Sequence, residues 1–179
     1  MNEPYAGPKT RMIETMSRRA WLTGGVSVAV IAGLWWTRGG DAEAATYEIS
    51  HSDDEWRRLL SPATFKVMRL HGTERPFSSP LNNEHRKGTF ACAGCDLPLF
   101  ASQTKFESGT GWPSFYQPLD NAVGNTEDRT MGMARTEVHC RRCGGHLGHV
   151  FEDGPKPTGL RYCMNGVSLK FEPTAPGAV

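Results

Sequence analysis

Five cysteines are the residues in this sequence best suited to chemistry, and their number is odd. Four of them form two Cys-x-x-Cys pairs, Cys92 with Cys95 and Cys140 with Cys143, while Cys163 stands apart. Two such pairs supply four thiolates, which is the ligand set of a closed tetrahedral Zn²⁺ site. Four thiolates leave no open position on the ion, so we expect one structural zinc per chain that takes no part in a reaction.

The redox state of these thiols depends on an N-terminal segment that is typical of export signals. Arg18 and Arg19 precede an uncharged stretch, residues 21–37, and residues 42–44 form a small-residue cleavage site. The adjacent arginines are similar to the twin-arginine signal, whose pathway exports folded proteins. We therefore expect residues 1–44 to direct the chain to the periplasm, with membrane anchoring by an uncleaved signal as the alternative. Folding and metal loading before export would keep the thiols from pairing as disulfides.

Three other interpretations of the cysteine pairs compete with structural zinc. Two structural disulfides remain an alternative in an exported protein. A thioredoxin-like redox pair is less favoured, because neither pair opens a strand-to-helix turn. A nucleobase-deaminase zinc site requires His-x-Glu and Pro-Cys-x-x-Cys, and the sequence contains neither motif.

The fifth cysteine, Cys163, has two interpretations. Free cysteines are often buried and inert, but an unpaired thiol in an exported chain is a chemical risk unless it has a use. His146 and His149 follow the second pair directly, so zinc at that pair would also hold both histidines in place. A thiol next to an imidazole can act as a nucleophile whose acid–base partner is the imidazole. For either histidine, packing without a chemical role is the alternative.

Several motifs in a fixed order resemble the methionine-R-sulfoxide reductases, the MsrB family. The motifs are Pro76-Phe77-Ser78, Gly111-Trp112-Pro113-Ser114-Phe115, His146-Leu147-Gly148-His149-Val150-Phe151 and Arg161-Tyr162-Cys163-Met164-Asn165. The resemblance covers nearly all of residues 46–173 and includes both cysteine pairs. It implies a mainly β fold of two antiparallel sheets, with short N-terminal helices and a structural zinc site of four cysteines. It also implies reduction of the R epimer of methionine sulfoxide to methionine.

The resemblance implies a role for each matched side chain. Cys163 is the nucleophile, and Trp112 contacts the methyl group of the substrate. The other catalytic candidates are His146, His149, Asn165 and Arg161, and the zinc ligands are Cys92, Cys95, Cys140 and Cys143. Other roles stay open for three of these residues: Asn165 in a turn, Trp112 in the core, and Arg161 as an exposed strand residue.

These residue types suit the reduction of a sulfoxide. Its sulfur is attacked easily only when its oxygen is protonated or strongly hydrogen-bonded, so the site needs a thiolate and an acid at once. A protonated imidazole would donate toward the oxygen and lower the pKa of the thiol. Arg161 lies two residues from Cys163, on the same face of a strand, and would add positive charge. The attack leaves methionine and a sulfenic acid on Cys163.

One position departs from the family pattern. Many members recycle through a second cysteine before the tryptophan, where this chain has Thr110. With four thiols on zinc, no internal cysteine remains to resolve a sulfenic acid on Cys163, so we expect a thioredoxin-like protein or another external thiol as reductant. The expected substrate is oxidised methionine in proteins or peptides, with the free amino acid left open. The alternative function is a zinc-knuckle binding module without turnover.

Two short helices and several short strands must position these groups. Residues 52–55 have the capping-box pattern, and a Ser-Pro step at 61–62 begins a second helix. The expected strands are Thr89–Ala91, Val138–Cys140, Leu160–Met164 and Val167–Phe171. Asn165-Gly166 predicts a hairpin turn between the last two.

Charge gives no reason to expect an anionic partner. Lys and Arg total 20 against 19 Asp and Glu, a formal net charge of +1. We therefore expect no nucleic-acid partner. Residues 45–179 have the size of one domain, which we expect to act as a monomer.

Overall fold

The computed structural model describes residues 46–175. The predicted export signal at residues 1–44 lies outside the described residues and stays a prediction. Over the described range, no helix combines the length and the apolar character that crossing a membrane requires.

Two short helices begin at the capping signals read from the sequence. Helix α1, Asp53–Leu59, has Ser52 as its N-cap, and the reciprocal contact with Glu55 completes a capping box. Helix α2, Pro62–Met68, begins after its N-cap Ser61 and has proline in its first turn. Both predicted starts are confirmed.

The buried face of these helices is narrower than the sequence indicates. Trp56 is 1% exposed and Met68 is 2% exposed, so each helix contributes to the core. Leu59 and Leu70, which helical spacing in the sequence would place on the same apolar faces, are 62% and 57% exposed. Leu59 is the last residue of α1, and Leu70 lies beyond the end of α2.

In the described part of the chain, nine strands form two antiparallel sheets, as the resemblance implies. The strands are β1 (Gly88–Cys92), β2 (Pro98–Ala101), β3 (Lys105–Phe106), β4 (Ser114–Phe115), β5 (Val123–Asp128), β6 (Arg135–Cys140), β7 (His146–Phe151), β8 (Arg161–Met164) and β9 (Leu169–Pro173). The smaller sheet has the order β2-β1-β9, and the larger one has the order β3-β4-β8-β7-β6-β5. The mainly β fold class is therefore confirmed.

The predicted hairpin at Asn165-Gly166 is wrong. β8 pairs with β4 and β7, whereas β9 pairs with β1 in the other sheet. Asn165 has φ −67° and ψ 123°, which is not the left-handed backbone of a type I′ turn. A 3-10 turn follows over Gly166–Ser168, so the last strand begins at Leu169 and not at Val167. The strand pairings are long-range, and they outweigh the local preference for a turn.

An aromatic core between the two sheets positions the strand of the fifth cysteine. Phe100 of the smaller sheet stacks on Phe115 of the larger sheet, with ring centroids 4.4 Å apart. Phe90 packs edge-on against Phe115 at 4.9 Å, and all three residues are 0% exposed. Because β4 carries Phe115 and pairs with β8, this core also fixes the position of Cys163.

Candidate active site and metal centre

Each Cys-x-x-Cys pair lies in the turn between two antiparallel strands, and the two turns have the same backbone pattern. The amide of Asp96 donates to the carbonyl of Cys92 at 2.9 Å. The amide of Gly144 donates to the carbonyl of Cys140 at 2.8 Å. Asp96 and Gly144 both have left-handed backbone, with φ of 57° and 66°. At Gly144 a β-carbon would also collide with the ring of Tyr47, so glycine is needed there.

The thiols of the two turns converge in one cluster. All four Sγ atoms lie within 4.8 Å of one another. The shortest contacts run between the turns, 3.7 Å from Cys92 Sγ to Cys143 Sγ and 3.5 Å from Cys95 Sγ to Cys140 Sγ. Sulfurs bound about 2.3 Å from a tetrahedral Zn²⁺ lie roughly 3.8 Å apart, so the cluster fits the ion. The predicted four-cysteine zinc site is therefore confirmed.

The cluster joins the two sheets to each other. Cys92 ends β1 in the smaller sheet, and Cys140 ends β6 in the larger sheet. An ion held by these residues would be a cross-link between sheets, with four thiolates and no open position for a substrate. Structural disulfides are not supported, because all five cysteines are free. A thioredoxin-like redox pair is not supported either, because both turns connect strand to strand.

Cys163 lies inside the larger sheet, between two strands that bring it polar neighbours. In the strand register, Cys163 is opposite Ser114 of β4 and opposite His149 of β7. Gly148 permits this close approach, since a β-carbon there would lie 2.1 Å from the carbonyl oxygen of Cys163. The glycine between the two predicted histidines thus lets β7 pack against the strand of the thiol.

The surroundings of the thiol act on its pKa in opposite directions. Burial is the larger effect and raises the pKa of Cys163 above its usual value, while a hydrogen bond with Thr110, the charge of Arg161 and a hydrogen bond with Ser114 offset part of this rise. Thr110 Oγ1 lies 3.8 Å from Cys163 Sγ. The groups that favour the thiolate most are therefore hydroxyls and a guanidinium, where we had expected an imidazole.

A cavity of about 220 Å³ opens beside Cys163. Its walls are Thr73, Trp112, Arg135, Gly148, His149, Phe151, Cys163 and Asn165. The rings of Trp112 and Phe151 make an apolar wall, and His149 and Arg135 offer hydrogen-bond donors. The cavity suits a small group with an apolar end and an acceptor oxygen. His146 lines an adjoining cavity instead, together with His149.

Each histidine contacts a carboxylate that sequence reasoning missed. His149 Nε2 lies 2.8 Å from Asp128 Oδ2, and Arg135 Nη2 lies 2.7 Å from the same oxygen. His146 Nδ1 lies 2.7 Å from Glu137 Oε1. Burial lowers the pKa of His149, and the hydrogen bond with Asp128 opposes that change. Contact with His146 holds the pKa of Glu137 below its usual range, so its carboxylate is ionised.

Glu74, another residue missed in the sequence, holds Asn165 and Trp112 in place. Its amide donates to Asn165 Oδ1 at 3.0 Å, and its carbonyl accepts from Trp112 Nε1 at 3.2 Å. Its carboxylate accepts from the amides of Gly166 and Val167. Burial raises the pKa of Glu74, and these two amides oppose that shift. Asn165 is 3% exposed, and its hydrogen bond with Glu74 connects the loop before β1 to the end of β8.

Arg161 is held rigidly on the strand of the thiol. Its Nε and Nη2 atoms each donate to an Asp153 carboxylate oxygen at 2.9 Å, a bidentate pair. The guanidinium also lies 4.4 Å from the centroid of the Phe151 ring. Arg161 is two residues before Cys163 on β8, and its charge lowers the pKa of the thiol.

Comparison with known proteins identifies relatives of this chain. Residues 60–173, which include every site residue described above, match the family model for the SelR domain. The chain is 55% identical over 127 residues to a peptide methionine sulfoxide reductase MsrB of Agrobacterium fabrum, covering 70% of this chain and 94% of the relative. The protein of the same name from Pseudomonas putida is 58% identical over 127 residues, with 70% and 96% covered. The one from Bradyrhizobium diazoefficiens is 53% identical over 136 residues, with 74% and 98% covered.

Proposed function

Since the chain belongs to the SelR-domain family of peptide methionine sulfoxide reductases, MsrB, we propose that it reduces the R epimer of methionine sulfoxide in proteins or peptides. The reduction of methionine sulfoxide follows from family membership. The choice of the R epimer and the roles of individual residues are our proposal. The observation that carries these roles is the convergence of Cys163, His149 and Trp112 on one cavity. A thiol, a proton donor and an apolar wall are what the reaction requires.

In the proposed reaction, the thiolate of Cys163 attacks the sulfur of the sulfoxide. His149, held by Asp128, gives a proton to the sulfoxide oxygen, so that the sulfur–oxygen bond can break. The attack joins the two sulfur atoms. As the sulfur–oxygen bond breaks, the oxygen moves to the sulfur of Cys163 and the sulfur–sulfur bond also breaks, with its electron pair staying on the methionine sulfur. The products are methionine and a sulfenic acid on Cys163, and no proton is consumed overall.

The neighbouring residues prepare these two groups. Thr110 and Arg161 favour the thiolate by hydrogen bonding and by charge. The ring of His146 lies 5.4 Å from the ring of His149, centroid to centroid, in an edge-to-face contact. Asn165 has a positioning role. Its buried side chain accepts a hydrogen bond from the backbone amide of Glu74, and the carbonyl of Glu74 accepts one from the Trp112 indole.

Trp112 makes a testable contribution to the choice of epimer. We expect the wild type to reduce methionine-R-sulfoxide and not the S epimer, because only one arrangement of methyl and oxygen fits the apolar wall and the donor side. Trp112→Ala is expected to lower kcat/KM for the R epimer at least about tenfold, while Trp112→Phe keeps an apolar ring and much of the rate. The measurement is a steady-state assay with each separated epimer. Equal reduction of both epimers by the wild type contradicts the proposal.

Recycling of the enzyme requires a thiol reductant, as the family activity implies. We propose that this reductant acts directly on the sulfenic acid of Cys163. Thr110 lies within 3.8 Å of the sulfur, and a hydroxyl cannot form a disulfide. The other four cysteines lie together in the metal cluster. Two thiols of a thioredoxin-like donor would reduce the sulfenic acid, form one disulfide and release water. The monomeric state stays a prediction.

We also propose that residues 1–44 export the protein to the periplasm. The support is the Arg18-Arg19 pair before an uncharged stretch, together with a family match that begins only at residue 60. Replacing both arginines with lysine is expected to remove the protein from the periplasmic fraction, as measured by cell fractionation and immunoblotting. Export of the double variant at the wild-type level would show that another signal is used.

A further inference from the structure

A second group of metal-ligating side chains lies beside the active site and shares no residue with the cysteine cluster. His71, Glu137 and His146 each offer one ligand atom, and these atoms lie within 4.8 Å of one another. Both histidines direct Nδ1 at one carboxylate oxygen: Glu137 Oε1 is 3.0 Å from His71 and 2.7 Å from His146. Two imidazole nitrogens and one carboxylate oxygen suit Zn²⁺ and related divalent transition ions.

The site formed by the three side chains is open to solvent on one side. The side chains of His146 and Glu137 are 3% and 12% exposed, whereas that of His71 is 64% exposed. All three line a cavity of about 380 Å³ that also borders Asp128 and His149. An ion can therefore reach the ligands from solvent, through the exposed side of His71, while both strand ligands stay in the sheet.

The two contacts to Glu137 require only a small adjustment to hold an ion, and the two imidazole ligand atoms lie within 4.8 Å of each other. Nitrogen and oxygen ligands about 2.0–2.2 Å from a tetrahedral Zn²⁺ lie roughly 3.3 Å apart. The two contacts to Glu137 are a few tenths of an ångström shorter than this separation. Because His71 lies in an exposed loop after α2, its imidazole can move outward to make the space.

We propose that His71, Glu137 and His146 bind a divalent transition ion and that the bound ion inhibits the reductase. On binding, the two Nδ1 atoms exchange their hydrogen bonds to Glu137 for bonds to the ion, and their protons move to Nε2 or are released. The inhibition rests on the proposed function. It follows because the ion holds His146, whose ring contacts that of His149, and adds positive charge beside this proton donor.

Zn²⁺ titration of the zinc-loaded protein tests the binding. The experiment uses the Cys163→Ser background, so that the free thiol cannot hold the ion, and isothermal titration calorimetry as the readout. We expect one Zn²⁺ per chain beyond the structural ion, and at least about tenfold weaker binding in a further His71→Ala variant. His85→Ala, which removes another exposed histidine, is the matched control and should bind as its parent does. No additional ion, or equal binding after His71→Ala, overturns the site.

A second measurement tests the inhibition and keeps it separate from the proposed function. With an intact Cys163, added Zn²⁺ is expected to slow the reduction of methionine-R-sulfoxide in the wild type and in His85→Ala, and much less in His71→Ala. Equal inhibition of wild type and His71→Ala overturns the regulatory role. If the protein lacks reductase activity before any Zn²⁺ is added, the proposed function fails, while the calorimetric result on the site stands.

Discussion

Replacing Cys163 with serine is expected to lower kcat/KM for methionine-R-sulfoxide by at least about a thousandfold. A serine hydroxyl is a much weaker nucleophile than a thiolate, and it has no sulfur that could take up the sulfoxide oxygen. Serine is also close to cysteine in size, so the packing around β8 should be retained. The measurement is the rate of methionine formation from the purified R epimer with an excess of thiol reductant.

The controls for this variant separate chemistry from folding. Cys163→Ser should keep the thermal unfolding midpoint of the wild type, because Cys163 is not part of the metal cluster. Thr110→Ser is the matched active control, since it keeps a hydroxyl next to the sulfur. Activity that survives in Cys163→Ser would place the nucleophile at another residue. A wild type as inactive as the variant would favour the zinc-knuckle binding module.

Removal of the zinc ion is expected to unfold the domain. Structural zinc sites contribute apparent binding free energies of about 10–16 kcal/mol, which equals or exceeds the total stability of about 5–15 kcal/mol of a typical domain. The ion would join β1 of one sheet to β6 of the other, so its loss frees the two sheets from each other. We expect a strong chelator, or the substitution Cys95→Ser, to abolish both the cooperative thermal transition and the zinc content.

The zinc experiment has an internal comparison. Cys163→Ser removes a cysteine outside the cluster and should retain one zinc per chain and the cooperative transition. Cys95→Ser removes a cluster cysteine by the same chemical change. A Cys95→Ser protein that lacks zinc and still melts at the wild-type temperature would show that the sheets do not depend on the ion.

The features predicted correctly from the sequence are those that depend on local spacing. The Cys-x-x-Cys pairs set the two turns, and the converging turns bring the four thiols together. The capping box at Ser52 and Glu55 likewise marks the start of α1, because both partners lie within one helical turn.

The features that were missed depend on contacts between distant strands. Asp128 and Glu137 reach the histidines only because β5, β6 and β7 pair in a specific register. One signal was present, since Arg135, Glu137 and His139 alternate along β6 and mark a polar face. The hairpin predicted at Asn165-Gly166 failed because β8 and β9 pair in different sheets, and this pairing outweighs a strong local turn signal.

The most direct test of a reductase that works with one cysteine is the chemical state of Cys163 after a single turnover. Wild-type protein is treated with methionine-R-sulfoxide without any reductant, and peptides are analysed by mass spectrometry after trapping of sulfenic acids. We predict one methionine released per chain and one oxygen atom on Cys163, with the cluster cysteines unmodified. Thr110→Cys, which adds a thiol where Oγ1 lies 3.8 Å from the sulfur, should instead form a disulfide between residues 110 and 163. A disulfide between Cys163 and another cysteine in the wild type would contradict the account.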